Sequence, residues 1–480
     1  MENIDKISVD AANPANSGNI KLSIHHAPRN ERYEMGKKLR KTCHRSSHAN
    51  WVAPVKRQDP IDLLLASEAG RLPDLLPLRH GRMARSPFTF FRGSAFNMAA
   101  DLANTPVSGM FVQACGDAHL CNFGGFATPE RNVIFSINDL DETLPAPWEW
   151  DVKRLAASFV VACRNNNLSE SIAREVAMEC VRAYRMNMAA YSEMKILELW
   201  HISLTADMMI SKLKDPKLMA RGSKRLEKER GRSIAEDIFP QLGEGPGKST
   251  FIKDNLPSIF HVEGHTPGEI ADTVREAFEL YRQTLPPVYS FLLDRYELRD
   301  AAIKVVGVGS VGTACFVLLL MTSDGDNLFL QVKEARPSVL EPFAGKSIYP
   351  NHGQRVVNGY RLIQPFSDPF LGWTKGKLGR HFFFRQLRDI KISMRVETFG
   401  KTEMIAYADW CGQAMALSHS RSGDAAMLSG YMGTSDTFDN AIASFSFAYA
   451  DQNEKDYASL QRAIKKGKIE ARFEEQERRK

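Results

Sequence analysis

The sequence predicts an α+β chain of two lobes, one mainly helical and one built on a β-sheet. Three observations carry that expectation. Apolar residues recur at helical spacing over most of the chain. Two stretches, 107–142 and 300–335, instead read as strands broken by Gly, Pro and Asn. The second holds GVGSVG at 307–312, a glycine-rich turn set between two expected strands.

With 480 residues, 43% of them hydrophobic, the chain can bury one large core or several smaller ones. The net charge of +6 is small for this length and does not call for nucleic acid. The basic runs MGKKLRKTCHR, KLKDPKLMARGSKRLEKERGR and RAIKKGKIEARFEEQERRK read as solvated faces. No apolar run approaches the length of a membrane span, and FVLLLM is the longest. Seven scattered cysteines fit reduced thiols, hence a cytoplasmic protein. Cys43, His44 and His48 lack a second pair to complete a zinc set.

Five segments follow in order. Residues 1–25 read as a disordered tail. Residues 26–200 form a helical N-terminal segment and one half of the large lobe. Within it 55–105 is mainly helical, 107–142 is strand and loop, and a helix opens at Asp151 as N-cap. Residues 201–295 form a helical insertion whose charged first part, 200–260, is expected to be mobile. A helix follows in TPGEIADTVREAFELYRQTL, with Thr266 as cap and Pro267 as first residue. Residues 296–395 form the sheet lobe: strand, glycine loop, strand, turn at SDGDN, strand. Residues 396–480 return to helix.

GVGSVG alone is a weak signal. A dinucleotide-binding loop must open a helix, but TACFVLLLM after Gly312 is a poor helix start. A loop that joins two antiparallel strands and folds over phosphates fits better, and it needs a lysine on the third strand. Lys333 in LFLQVKEA stands there. Gly307, Gly309, Ser310, Gly312 and Lys333 are therefore the candidate nucleotide-binding residues. AGKS at 344–347 is not a Walker loop, because Leu340 replaces the first glycine.

Phosphoryl transfer asks little of a protein: a carboxylate to take the hydroxyl proton, and oxygen ligands for Mg²⁺. GDAHLCNFGGFATPERNVIFSINDLDE at 116–142 offers both. Asp117 and Asn122 have the spacing of a kinase catalytic loop, Asp-x-x-x-x-Asn. The hairpin NFGGF–NVIFSI follows, then Asp139 and Asp141. Two residues apart in extended chain, these carboxylates share one side. The assignments are Asp117 as base and Asn122, Asp139 and Asp141 as metal ligands, with Asp139 the main one. Arg92, His119 and Glu341 are accessory candidates. The acid expected to pair with Lys333 is open: Glu334 points to the opposite face, Glu341 has prolines on both sides, and NHGQRVVNGYRLIQ offers only Gln354. FFFRQLRDIK at 382–391 is the expected strand and hinge beside adenine. His419 and Asp424 read as solvated polar residues at a helix end.

GDAHLCN resembles the signature G-D-x-H-x-x-N of aminoglycoside phosphotransferases and choline kinases, with Cys115 where those have histidine. Residues 35–470 are similar to an uncharacterised bacterial family, domain of unknown function family 2252. RMARSPFTFFRG, CGDAHLCNFGGF, INDLDETLPAPWEWDVKRLAAS, VGVGSVGT, LQVKEA and YADQNEKDY carry that likeness. The first resemblance implies a protein-kinase-like two-lobed fold, an ATP- and Mg²⁺-binding cleft and a small-molecule acceptor. The chain order departs from it, since the glycine loop follows the catalytic loop. A circular permutation is expected, with 86–200 as the catalytic half and 296–395 as the nucleotide lobe. Two further readings stay open: nucleotidyl (AMP) transfer to protein, and a nucleotide sensor without catalysis.

Overall fold

The computed structural model describes residues 26–231, 239–245, 250–256, 258–261, 270–305, 307–309, 311–387 and 390–474. The tail expected at 1–25, the cap Thr266 with Pro267, and Ser310 lie outside the described residues.

The fold is mixed α+β. Helix Trp148–Asn165 is the axis of the larger lobe. Its residues are buried from Trp148 to Cys163, the charged Glu149, Asp151, Lys153 and Arg154 included, so neighbours cover every face and must partner those charges. Helices Glu170–Glu193, Lys401–Ser422, Ala425–Met432 and Thr437–Lys465 pack around it and on one another. Ser169 caps the first of these, its hydroxyl accepting from the Ile172 amide at 3.3 Å. Trp148, Phe159, Tyr184, Tyr407, Met415 and Phe438 share the resulting core.

Two small sheets sit on this lobe. Strand β1 (Phe111–Ala114) pairs antiparallel with β4 (Leu144–Pro147). Between them, β2 (Phe123–Ala127) and β3 (Val133–Ile137) form the expected hairpin, turning through Arg131 at φ 66°. A late strand, β13 (Lys391–Ile392), adds to the free edge of β2.

The other lobe is a six-stranded antiparallel sheet in the order β11-β12-β10-β9-β8-β7. These are Gly372–Lys375, His381–Gln386, Asn327–Ala335, Cys315–Met321, Glu297–Lys304 and Ile259–Phe260. Strands β5 (Gly243–Glu244) and β6 (Phe251–Ile252) make a separate ribbon. The glycine loop joins β8 to β9, and a strand, not a helix, follows Gly312. That is the arrangement expected of a phosphate-covering loop and not of a dinucleotide fingerprint.

Helix His352–Ile363 joins the lobes. The buried Arg355 donates to the carbonyls of Thr143 (2.6 Å), Asp141 (2.9 Å) and Arg336 (2.8 Å). Gln364 donates to the Ile137 carbonyl at 2.6 Å. The chain just after the hairpin is thus gripped by the sheet lobe.

Helices Pro60–Glu68, Leu76–Met83, Pro87–Gly93 and Ala95–Leu102 bear out the helical reading of 55–105 and lie against the glycine loop. Leu72 N donates to the Gly312 carbonyl, Arg71 to Val311 and Arg82 to Gly307, each at 2.7 Å. Glu474 near the described end pairs with Arg82 and Arg85.

Three expectations need correction. Asp151 is not an N-cap: the helix begins at Trp148 after Pro147, and the Asp151 carboxylate serves another segment. The described part of 200–260 includes ordered helices, Ala206–Ser211 and Pro216–Arg230, whose apolar residues pack against one another and β3. His419 is not solvated but wholly buried. No described helix is long and apolar enough to cross a membrane.

Candidate active site

The GDAHLCN loop is fixed from below by Asp151. Its carboxylate accepts from the amides of Cys115 (2.5 Å) and Gly116 (3.0 Å). His419 Nε2 lies 3.2 Å from the same carboxylate, and Tyr184 holds His419 Nδ1 at 2.9 Å. Gly116 turns the chain at φ 85°, and a Cβ there would stand 2.4 Å from the Glu142 carbonyl oxygen. Only glycine supplies both the conformation and the room.

This anchoring presents Asp117 to a cavity of about 370 Å³. Arg154 holds one carboxylate oxygen, Oδ1, with Nε at 2.7 Å and with Nη2. The second oxygen, Oδ2, is 3.8 Å from His119 Nε2. Burial lowers the His119 pKa to about 3 against the pull of Asp117, so the imidazole is neutral. Its Nδ1 accepts from the Cys121 amide at 3.2 Å, which assigns His119 to shaping the loop. Asn122 donates its amide to the Asp117 carbonyl at 2.7 Å and lines the cavity too.

Across the cavity stands β10. Lys333 faces Cys315 on one side and Phe383 on the other, and its side chain is 3% exposed. Its ammonium lies 3.1 Å from Asp139 Oδ1 and also pairs with Asp141 Oδ2. The carboxylates are thus on one side of the extended chain, as their spacing requires. Asp139, 34% exposed, opens to the cavity.

The pair is electrostatically split. Burial works against charge on Asp139, but Lys333 and Arg385 outweigh it and hold the carboxyl below its usual range. Burial and the Asp139 charge push Asp141 up to about 7. Lys333 stays charged, because the two acids outweigh its burial. Arg385 and Tyr360 frame the group, Arg385 donating to the Asn138 carbonyl at 3.2 Å and Tyr360 at 3.1 Å.

Gly309 lines the same cavity, so the glycine loop, Asp117, Asn122, Asp139 and Asp141 meet in one place, and Lys333 joins them through the carboxylates. Gly307 and Gly312 take φ of 68° and 89°. Arg92 and Glu341 line the cavity as well. Glu341 does not serve Lys333; it accepts from the Ser338 amide at 3.3 Å and lies 3.6 Å from His352. Gln354 contributes its backbone to the Asn351 cap, and Glu334 accepts from the Ala314 amide at 2.9 Å. In the region expected to be the hinge, β12 ends at Gln386, and residues 388 and 389 are not among those described.

Sequence reasoning missed Arg154, Asp151 with His419, and the framing pair Arg385 and Tyr360. A signal for the first existed. Asp151 and Arg154 are three apart, one face of a helix, so both reach the same loop. The oxygens of Asn122, Asp139 and Asp141 suit a hard cation such as Mg²⁺. Asp141 Oδ1 is buried without a hydrogen-bond partner, an acceptor that suits a cation. No described group of three His, Cys, Asp or Glu side chains cages a metal by itself. Mg²⁺ commonly completes its shell with water and substrate phosphates, so the set still fits.

Searches of curated proteins and of solved structures return no match. One family model does match, over residues 71–463, which is most of the chain. The chain belongs to that family, described as an uncharacterised protein conserved in bacteria, DUF2252.

Proposed function

We propose that the protein is an ATP- and Mg²⁺-dependent phosphotransferase of protein-kinase-like, circularly permuted fold, acting on a hydroxyl of a small molecule. One observation carries the reading. Lys333 on the third strand of a glycine-loop sheet reaches the two carboxylates that follow an Asp-x-x-x-x-Asn loop. Those are parts that a kinase-like cleft uses.

The order of elements supports it further. From Glu297 the chain runs strand, glycine loop, strand, lysine strand, a short and a longer helix, two sheet strands, and then through β13 into the helical lobe. The sheet order β8-β9-β10-β12-β11 follows from that path. One contact supports the permuted reading. Helix Lys401–Ser422 ends against the start of β1, where Gln113 N donates to Ser422 Oγ at 3.1 Å. A chain in the usual kinase order would pass directly across that contact.

In this reading Asp117 Oδ2, the oxygen not held by Arg154, orients the acceptor hydroxyl and takes its proton. Asn122, Asp139 and Asp141 would hold Mg²⁺, which neutralises phosphate charge when bound. Lys333 would move from the carboxylates towards the nucleotide phosphates, and the glycine loop would cover them. A sensor without catalysis is favoured by one fact: helix His352–Ile363 gives Lys333 no carboxylate to fix it in a productive place.

The test is thermal shift with ATP and Mg²⁺ on wild type, Lys333→Ala and Asp139→Ala. A rise of a few degrees in wild type that both variants lose supports the cleft. No rise at ligand well above millimolar overturns it. ADP release, against AMP-labelled protein by mass, then separates phosphoryl from nucleotidyl transfer.

A further inference from the structure

The cavity is lined by basic side chains as well as by acidic ones. Arg71, Arg79, Arg92, Arg336 and Lys346 line it, beside the carboxylates. Three of these are engaged by the protein. Arg71 donates to the Val311 carbonyl, Arg79 to the Gly93 carbonyl at 2.8 Å, and Arg336 to the Ser67 carbonyl at 3.2 Å. Arg92, partly buried, and Lys346, exposed, differ: among the described residues neither side chain has an ion pair or a hydrogen bond. The Arg92 Nε is buried and unpartnered. The Phe88 ring lies 5.9 Å from its guanidinium.

Arg92 is also well placed. It stands in the last turn of helix Pro87–Gly93, whose Phe88, Phe90 and Phe91 are buried and fix its backbone. It shares the cavity with Asp117 and Asn122, and its charge helps keep His119 neutral. A guanidinium half removed from water and left without an anion is costly unless a ligand supplies one.

We propose that the acceptor is a small anionic alcohol, whose carboxylate or phosphate is held by Arg92 with Lys346 while its hydroxyl meets Asp117. This rests on the phosphotransferase reading above and names its substrate class. The acceptor oxygen forms a bond to the γ-phosphorus, and the bond from that phosphorus to the β,γ-bridging oxygen breaks. ADP leaves with the electron pair, and the hydroxyl proton passes to Asp117 Oδ2. A cationic amino-alcohol is disfavoured, because it would set its ammonium against an uncompensated guanidinium.

The test uses the full chain saturated with Mg²⁺ and a non-hydrolysable ATP analogue, titrated calorimetrically with four matched probes. These are glycerol 3-phosphate, glycerate, glycerol and 3-amino-1,2-propanediol. The expected result is that one of the anions binds at least tenfold tighter than glycerol or the amine. Which anion does so tells phosphate from carboxylate. Arg92→Gln and Lys346→Ala should each weaken that anion at least tenfold, Arg92→Lys less, with analogue affinity held within twofold. Equal binding of all four probes, no binding of either anion, or unchanged anion affinity in Arg92→Gln overturns the proposal while the nucleotide site stands. Failure of the wild type to bind the analogue overturns the phosphotransferase reading itself.

Discussion

Lys333 sets its ammonium 3.1 Å from Asp139 and in contact with Asp141, across a sequence separation of 194 residues from the first. One cation therefore pairs with two carboxylates that sit in another lobe. Without it, two like charges would face each other at the edge of a cavity.

Lys333→Ala should therefore destabilise the nucleotide-free protein by about 3 kcal/mol at pH 8, the usual cost of removing one partner of a buried ion pair. Mg²⁺ should restore more stability to this variant than it adds to wild type, since a divalent ion can replace the lost charge. Urea unfolding with and without Mg²⁺ measures both. Equal Mg²⁺ effects would refute the shared-site account.

Asp141 predicts a pH dependence. Its folded pKa, about 7, is above the ordinary 3.8, so folding favours the protonated form. The stability it contributes is complete below about pH 4 and is lost as pH rises through 7. Asp139 is shifted the other way, so its contribution is present above about pH 4 and is lost on acidification. Asp141→Asn removes the first dependence. Its stability relative to wild type should rise between pH 5 and pH 8, read from paired urea midpoints at each pH. A constant difference would contradict the raised carboxyl.

Asp151→Asn keeps the shape of the side chain but gives up the charge that receives the Cys115 and Gly116 amides. A loss of about 2 kcal/mol is expected, in the range for hydrogen bonds to a buried charged group. Because Asp151 acts through the loop, ATP affinity should hold while turnover falls. Calorimetry beside a turnover assay separates the two, and a parallel fall in ATP affinity would count against a positioning role.

Gly116→Ala should cost about 2 kcal/mol or more, from a strained positive φ together with a Cβ forced onto the Glu142 carbonyl. Gly307→Ala is the comparison. It shares the positive φ, but its Cβ would meet nothing within 4 Å. The first variant should be the less stable of the two by thermal unfolding.

What was legible in the sequence was local. The strand, loop and strand around GVGSVG, the lysine ending an apolar strand, and the spacing of Asp139 and Asp141 are patterns of a few residues. Backbone geometry alone turns them into structure. What was hidden was long-range. Asp151 has the signature of a helix cap, and a carboxylate that caps its own helix looks the same in sequence as one that receives amides from another segment. His419 was read as solvated because its neighbours are small and polar, but Tyr184 and Asp151 enclose it. The partner sought for Lys333 on the following helix was instead the pair of presumed metal ligands, joined to it only by the fold.

The contact between Ser422 and β1 also sets the order in which the molecule can be finished during synthesis. The loop bearing Asp117 leaves the ribosome before the sheet does, but helix Trp148–Asn165 beneath it awaits Thr437–Lys465, the last described helix. The six-stranded sheet begins later and has all its strands once Gln386 has emerged. The lobe begun first is thus completed last, and a nascent chain holds a whole sheet before it holds a whole helical lobe.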